Sequence, residues 1–127
     1  MICLDTNYLI SGLVAGTSEA AELSGWYQEG EQLIAPMPAW YEFVCGPVTE
    51  EQEETARAFL TSIVPFGEKE ASEAARLFNA SGRNRKYSVD AMIAATAIVA
   101  KASLATSNRK DFLPFVPHGL DLLESTA

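Results

Sequence analysis

Four carboxylates differ from the other acids of the chain in their surroundings: Asp5, Glu42, Asp90 and Asp111. Asp5 ends the apolar run Met1-Ile2-Cys3-Leu4, and Glu42 is the one charged residue in Ala39-Trp40-Tyr41-Glu42-Phe43-Val44-Cys45. Asp90 opens an almost wholly apolar stretch, and Asp111 follows the polar turn Ser107-Asn108-Arg109-Lys110. Local uses exist for three of them. Asp5 can brace a turn, Asp90 can offset a helix macrodipole and Asp111 can cap a short helix. Glu42 has no such local use, because unpaired burial of its charge costs several kcal/mol or forces protonation. Four acids gathered at one end of a sheet would repel one another and raise their pKa values unless a divalent cation supplied positive charge. Hard carboxylate oxygens suit Mg²⁺ or Mn²⁺, which keep water ligands and can activate one as a nucleophile. With no catalytic cysteine or Ser-His pair in view, metal-assisted hydrolysis is the reaction class that fits.

The elements that must position these acids alternate between strands and helices. Met1–Leu4 suits a short buried strand, and Tyr8–Val14 continues at helical spacing. Ser18–Gly30 reads as a helix with Ala21, Leu23, Trp26 and Tyr27 available for one face. Gln32–Ala35 reads as a strand stopped by Pro36 and Pro38. The segment around Glu42 is apolar nearly all round and reads as a buried helix. Thr49 and Gln52 form a capping signature for the glutamate-rich helix that follows, whose acids line a solvated face. Ile63–Phe66 reads as a strand that Pro65 either demotes or puts at an edge. Glu68–Ala80 is amphipathic, with Ala71, Ala74, Ala75, Leu77 and Phe78 inward. Ser88 can cap a central packed helix, Val89–Ala102. Leu104–Thr106 is a strand, and Leu120–Leu123 can supply a last one. The expected fold class is α/β, a three-layer α/β/α sandwich around a mainly parallel sheet, with residues 1–127 as a single domain.

The totals narrow the function classes. At 127 residues with 48% hydrophobic and 20% charged residues, the chain is an ordinary globule. Its net charge of −8 argues against nonspecific nucleic-acid binding over the whole surface. Five of the nine basic residues, Arg83, Arg85, Lys86, Arg109 and Lys110, lie close in sequence to Asp90 or Asp111. They either meet phosphates beside the acids or form solvated loops. Cys3 and Cys45 read as buried free thiols in a reducing compartment. His118, the one histidine, cannot build a zinc site by itself. No apolar run of spanning length and no basic leader occurs, so the expectation is cytoplasmic, with no membrane. Trp26, Tyr27, Trp40, Tyr41 and Phe59 are expected in the core, the alternative being a groove for a partner helix or a dimer seam.

Taken in order, Leu4-Asp5-Thr6-Asn7, Glu42 in a short helix, Asp90-Ala91-Met92-Ile93-Ala94-Ala95-Thr96-Ala97 and Leu104-Ala105-Thr106-Ser107-Asn108-Arg109-Lys110-Asp111-Phe112 resemble the PIN-domain family. The likeness is in particular to bacterial VapC-type toxin ribonucleases. It implies a PIN-like nuclease domain whose acidic pocket binds Mg²⁺ or Mn²⁺. Asp5, Glu42 and Asp90 match the three core acids of that family. Asp111 is the later acid of the last motif, in which Asn108 stands where many relatives carry an aspartate. Thr6 and Thr106 match pocket hydroxyls, with Asn7 and Asn108 beside them. On this reading Asp5, Asp90 and Asp111 hold one or two ions, and Glu42 completes the shell or orients the attacking water. The implied protein is an endoribonuclease toxin that cuts single-stranded or loop RNA, is restrained by a cognate antitoxin and can form a homodimer. The alternative is a non-catalytic PIN-like module that only binds a protein partner. It predicts a lost core acid, and none is lost here. A phosphoryl-accepting α/β domain would need a second carboxylate in the first loop, which Asp5-Thr6-Asn7 lacks.

Overall fold

A computed structural model describes residues 1–124; residues 125–127 of the expected domain lie outside the described residues. Its sheet has four strands in the order β3-β2-β1-β4. These are β1 (Ile2–Leu4), β2 (Leu33–Pro36), β3 (Ser62–Val64) and β4 (Ser103–Ala105). All three pairings are parallel, with Cys3 opposite Ile34 on one side and Leu104 on the other. Among the described residues, seven α-helices complete the sandwich: α1 (Thr6–Ser11), α2 (Ser18–Gln28), α3 (Met37–Cys45), α4 (Glu50–Phe59), α5 (Glu68–Ala80), α6 (Ser88–Ala100) and α7 (Arg109–Phe112). A parallel sheet is covered on both faces by its crossover helices, so its strands carry continuous apolar runs. Thus β1 and β2 are buried at every position, whereas the edge strand β3 is partly exposed, as Pro65 foretells.

The strand order fixes where a site can form. The chain proceeds outward from β1 through β2 to β3, then crosses over to lay β4 on the other flank of β1. The C-terminal ends of β1 and β4 therefore flank the point at which the winding reverses. A crevice opens at such a point in open α/β sheets. Behind it, α6 presents Ala91 and Ile93 to Ala97 as buried residues. Small side chains let this helix lie close to the sheet from several directions. Thr49 and Gln52 form the expected reciprocal cap of α4, through Thr49 Oγ1 to the Gln52 N–H and Gln52 Oε1 to the Thr49 N–H.

Several expectations require correction. Helix α3 is not buried all round: Ala39, Trp40 and Phe43 face the core, while Tyr41, Glu42, Val44 and Cys45 are exposed. Cys45 is thus a surface thiol, and only Cys3 is buried. Ser88 does not cap α6; Tyr87 holds that position without a side-chain hydrogen bond, the chain entering from a 3₁₀ turn at Arg85–Tyr87. The last strand reduces to a single parallel bridge between Leu104 and Leu122. Ala21, Tyr27, Ala71 and Ala75 are exposed rather than inward, because each apolar face is narrower than its residue types suggest.

The junction of α1 and α2 is tight. Gly12 is buried, and a Cβ there would lie 2.2 Å from the Tyr8 carbonyl oxygen and 2.9 Å from Leu23 Cδ2. Gly25, inside α2, has open space around it. Gly12→Ala should therefore destabilise the fold by about 1–3 kcal/mol through overpacking. Gly25→Ala should stabilise it by about 0.5–1 kcal/mol through lower unfolded-chain entropy. Urea unfolding of both variants tests this pair, and a shift of the same sign in both would contradict it.

Candidate active site

Asp5 follows β1 directly, and its backbone N–H donates to the Ala105 carbonyl at 3.0 Å, carrying the β1–β4 ladder one step further. It is also the N-cap of α1, and Oδ1 accepts the Thr6 N–H at 2.8 Å. Oδ2 accepts the Thr106 hydroxyl at 2.7 Å and the Asn7 amide at 3.3 Å. The side chain is only 5% exposed. One further bond ties the start of α1 to the loop after β4, and another braces that loop internally. Asn7 Oδ1 accepts the Ser107 N–H at 3.2 Å, and Thr106 Oγ1 accepts the Asn108 N–H at 2.9 Å. No buried side-chain nitrogen or oxygen lacks a partner among the described residues.

The other three acids arrive from separate helices. Glu42 is exposed on α3, and its Oε1 accepts the Thr6 hydroxyl at 2.8 Å. Thr6 therefore holds Asp5 with its backbone and Glu42 with its side chain. Asp90 is half-buried in the first turn of α6. Asp111 is half-buried in the single turn of α7, with its N–H bonded to the Asn108 carbonyl at 3.0 Å. The Asn108 side chain makes no capping hydrogen bond.

The four carboxylates share one electrostatic field. Burial, followed by the negative charges of Asp5, Asp111 and Glu42, lifts the Asp90 carboxyl from 3.8 to about 6. Burial also raises the Asp5 carboxyl. The hydrogen bonds from Thr106 and Thr6 oppose that rise, while the charges of Glu42 and Asp111 add to it. Among the described residues the ion pairs are Met1–Glu31, Arg57–Glu53 and Arg76–Glu73, so no side-chain cation neutralises this group. Nor do three acidic, histidine or cysteine side chains close on a common point among the described residues. The donor set is all hard oxygen with excess negative charge. It fits an ion such as Mg²⁺, which takes one or two carboxylates and keeps several waters.

The basic residues are placed less uniformly. Arg83, at a left-handed φ of 60°, is exposed, with its guanidinium 5.5 Å from the Phe78 ring centre and bonded to Asn79 Oδ1. Arg85, Lys86 and Lys110 are also exposed, Lys86 lying over the Tyr87 ring. Arg109 is half-buried and donates to the Leu123 carbonyl. Sequence reasoning missed this last contact and the role of Ser107. Both are backbone partners, which carry no residue-type signal. Of the aromatics, Trp40 is buried, while Trp26 and Phe59 are half-buried against the core. Tyr27 and Tyr41 are exposed.

Residues 2–113 match the sequence model of the family described as PIN domain. The chain is similar in structure to a toxin–antitoxin complex from Klebsiella pneumoniae, with a TM-score of 0.71 and 26% identity over 89% of this chain and 91% of that one. It is also similar to FitAcB from Neisseria gonorrhoeae, with a TM-score of 0.75 and 20% identity over 98% of both chains. VapBC2 from Rickettsia felis, bound to a promoter DNA fragment, gives a TM-score of 0.70 and 20% identity over 97% of this chain and 98% of that one. No curated protein sequence matches the chain.

The raised carboxyl of Asp90 makes a prediction about metal-free stability. A group that prefers its proton in the folded state contributes stability at low pH, and that contribution is lost as pH rises through about 6. Asp90→Asn removes the charge that has to be buried. It should raise stability at pH 7.5 by about 1 kcal/mol, the value left once solvent screening of a half-exposed group is allowed for. The gain should vanish near pH 4. Melting curves of both proteins in EDTA at the two pH values check this, and equal midpoints at pH 7.5 would rule out a penalty for burying the Asp90 charge.

Proposed function

The chain belongs to the PIN-domain family, and from that premise we propose that it is a divalent-metal-dependent endoribonuclease, the toxin of a toxin–antitoxin pair. What supports the proposal is that Asp5, Glu42, Asp90 and Asp111 lie near enough to act on one another's charge, with no side-chain cation paired to them among the described residues. Asp5, Asp90 and Asp111 would hold Mg²⁺ or Mn²⁺. When bound, the ion supplies Lewis-acid stabilisation of charge on the phosphate and makes water a stronger nucleophile near neutral pH.

The protein's own part is orientation and proton handling. Asp5 is locked by Thr6, Asn7 and Thr106, so its free electron density points in a fixed direction. Glu42 is exposed and tied at Oε1 by Thr6, leaving its other oxygen to orient the attacking water or take its proton. The water oxygen bonds to phosphorus, the bond to the 3′-oxygen breaks, and a proton reaches that oxygen. The products are a 5′-phosphate and a 3′-hydroxyl. Arg83, Arg85, Lys86 and Lys110 are the cations available for RNA phosphates beside the pocket. Single-stranded or loop RNA suits such a site better than a closed duplex, because its backbone bends into a crevice.

An antitoxin partner is supported by the Klebsiella relative's own assembly as a toxin–antitoxin complex. An open apolar cavity of about 150 Å³, lined by Ile10, Leu13, Val14, Phe43 and Val48 among others, offers such a partner a seat. Tyr41, 66% exposed on α3, is available for a homodimer seam. No helix among the described residues is long and apolar enough to cross a membrane, and we place the protein in the cytoplasm as one nuclease domain.

Purified protein with Mn²⁺ should cut total RNA at discrete positions. Asp5→Asn and Asp90→Asn should each slow cleavage by about 100-fold or more, since a lost ligand costs several kcal/mol of transition-state stabilisation. EDTA should abolish the cuts. Absence of both cleavage and Mn²⁺ binding in the wild type would favour the non-catalytic binding module. A second outcome concerns affinity: Arg85→Glu with Lys86→Glu should weaken RNA binding and flatten its log-log salt dependence by about one per lost phosphate contact. An unchanged slope in filter binding would place the RNA elsewhere.

A further inference from the structure

Asp111 stands on a weak mount. Helix α7 has four residues, Arg109–Phe112, too few to hold itself as a helix, because nucleating one turn costs more than its own hydrogen bonds return. Something outside the turn must fix it. Phe112 does so from beneath, buried with Phe115 at 6.3 Å between ring centres. Arg109 does so from the side, with Nη1 donating to the Leu123 carbonyl at 2.6 Å.

Leu123 is itself held. Its N–H donates to the Leu104 carbonyl at 2.8 Å, and the Leu104 N–H donates to the Asp121 carbonyl at 2.8 Å. The Ser103 hydroxyl donates to Asp121 Oδ2 at 2.6 Å, and Leu120 is buried. Residues 120–123 thus lie along the outer side of β4, and Arg109 fastens α7 to them. The same turn connects inward, through the Asp111 N–H to the Asn108 carbonyl and the Asn108 N–H to Thr106 Oγ1, which donates to Asp5.

We infer that Arg109 is a positioning residue that ties α7 to the C-terminal segment 120–123, so that this segment sets where the Asp111 carboxylate stands relative to Asp5 and Asp90. This rests on the metal-site reading above and gives Arg109 a different task from the exposed cations around it. A guanidinium committed to a backbone carbonyl at the flank of the sheet is poorly placed to follow an RNA phosphate. Its planar, always-charged fork suits a fixed carbonyl.

The test is Mn²⁺ titration calorimetry on the full chain, for wild type, Arg109→Ala, Asp111→Asn and the double variant, alongside amide hydrogen exchange. Arg109→Ala should raise the Mn²⁺ dissociation constant by about tenfold, the scale for removing an outer support of a ligand. Exchange should quicken at the Asp111 and Leu123 amides while β1 stays protected. In the Asp111→Asn background, Arg109→Ala should cost nothing further, since the two act in series. RNA affinity in EDTA and its salt dependence should not change. Ser103→Ala loosens the segment from β4 without touching α7 and should weaken Mn²⁺ binding by about twofold. This keeps the inference testable if Arg109→Ala fails to fold. An additive loss in the double variant would uncouple Arg109 from Asp111, and a reduced salt slope with Mn²⁺ affinity intact would return Arg109 to RNA contact; either would overturn the inference. A wild type that binds Mn²⁺ but cuts no RNA would overturn the nuclease reading alone, and one that binds no Mn²⁺ would overturn both.

Discussion

The bond from the Thr106 hydroxyl to Asp5 Oδ2 joins residues 101 positions apart and is buried. It matters beyond its own free energy, which for a buried bond to a charged acceptor is on the order of 1.5–3 kcal/mol. Without it, a carboxylate at the end of a buried strand would be desolvated with one donor fewer. The loops after β1 and β4 would then be joined chiefly through Asn7. With it, the neighbouring strands β1 and β4 end in a shared polar knot, and α1 starts from that knot with its first N–H already satisfied. The crevice at the winding reversal of the sheet is in this sense built from the carboxylate outward. The acid the pocket needs is also the acceptor that closes the fold around it.

The same arrangement explains why so much of the layout could be read from residue types. Asp5, Thr6 and Asn7 adjoin in sequence, as do Thr106, Ser107 and Asn108, and each trio follows a short apolar strand. Their bonds are local or cross one ladder whose register the apolar runs fix. Helix α6 was legible for a different reason: a segment buried from several sides needs no particular phase, so composition suffices. Helix α3 has a similar composition but a different setting. Tyr41, Val44 and Cys45 are apolar but face outward, and an apolar residue exposed on a helix looks in sequence like one that is buried. The same likeness points Glu42 inward in the sequence, whereas it lies exposed beside Thr6. The Arg109 contact was invisible because its acceptor is a main-chain carbonyl 14 residues away.

Charge is distributed with the same economy. The net charge of −8 comes largely from glutamates on helix surfaces, three of them, Glu50, Glu51 and Glu53, in the first turn of α4, where the helix dipole favours them. Asp5 is the one buried acid among the described residues, Asp90 and Asp111 are half-buried, and all three are aspartates at element boundaries. The shorter side chain matters there, since it keeps the carboxylate close to a backbone whose position the sheet already determines. A glutamate in those places would add a rotatable bond and lose the short reach to neighbouring N–H groups. Glu42, approaching from a separate helix, uses the extra length to meet Thr6.

The three donors on Asp5 carry one more consequence. A carboxylate offers about four lone pairs. Oδ2 spends both of its pairs on Thr106 and Asn7, and Oδ1 spends one on Thr6. A single pair on Oδ1 is left, so a proton and a metal ion are rivals for the same electrons. Only one contact can form unless Thr106 or Asn7 lets go. As a metal ligand, Asp5 would therefore be one-handed. That suits the small, strictly octahedral Mg²⁺ or its near match Mn²⁺ better than Ca²⁺, which readily grips a carboxylate with both oxygens.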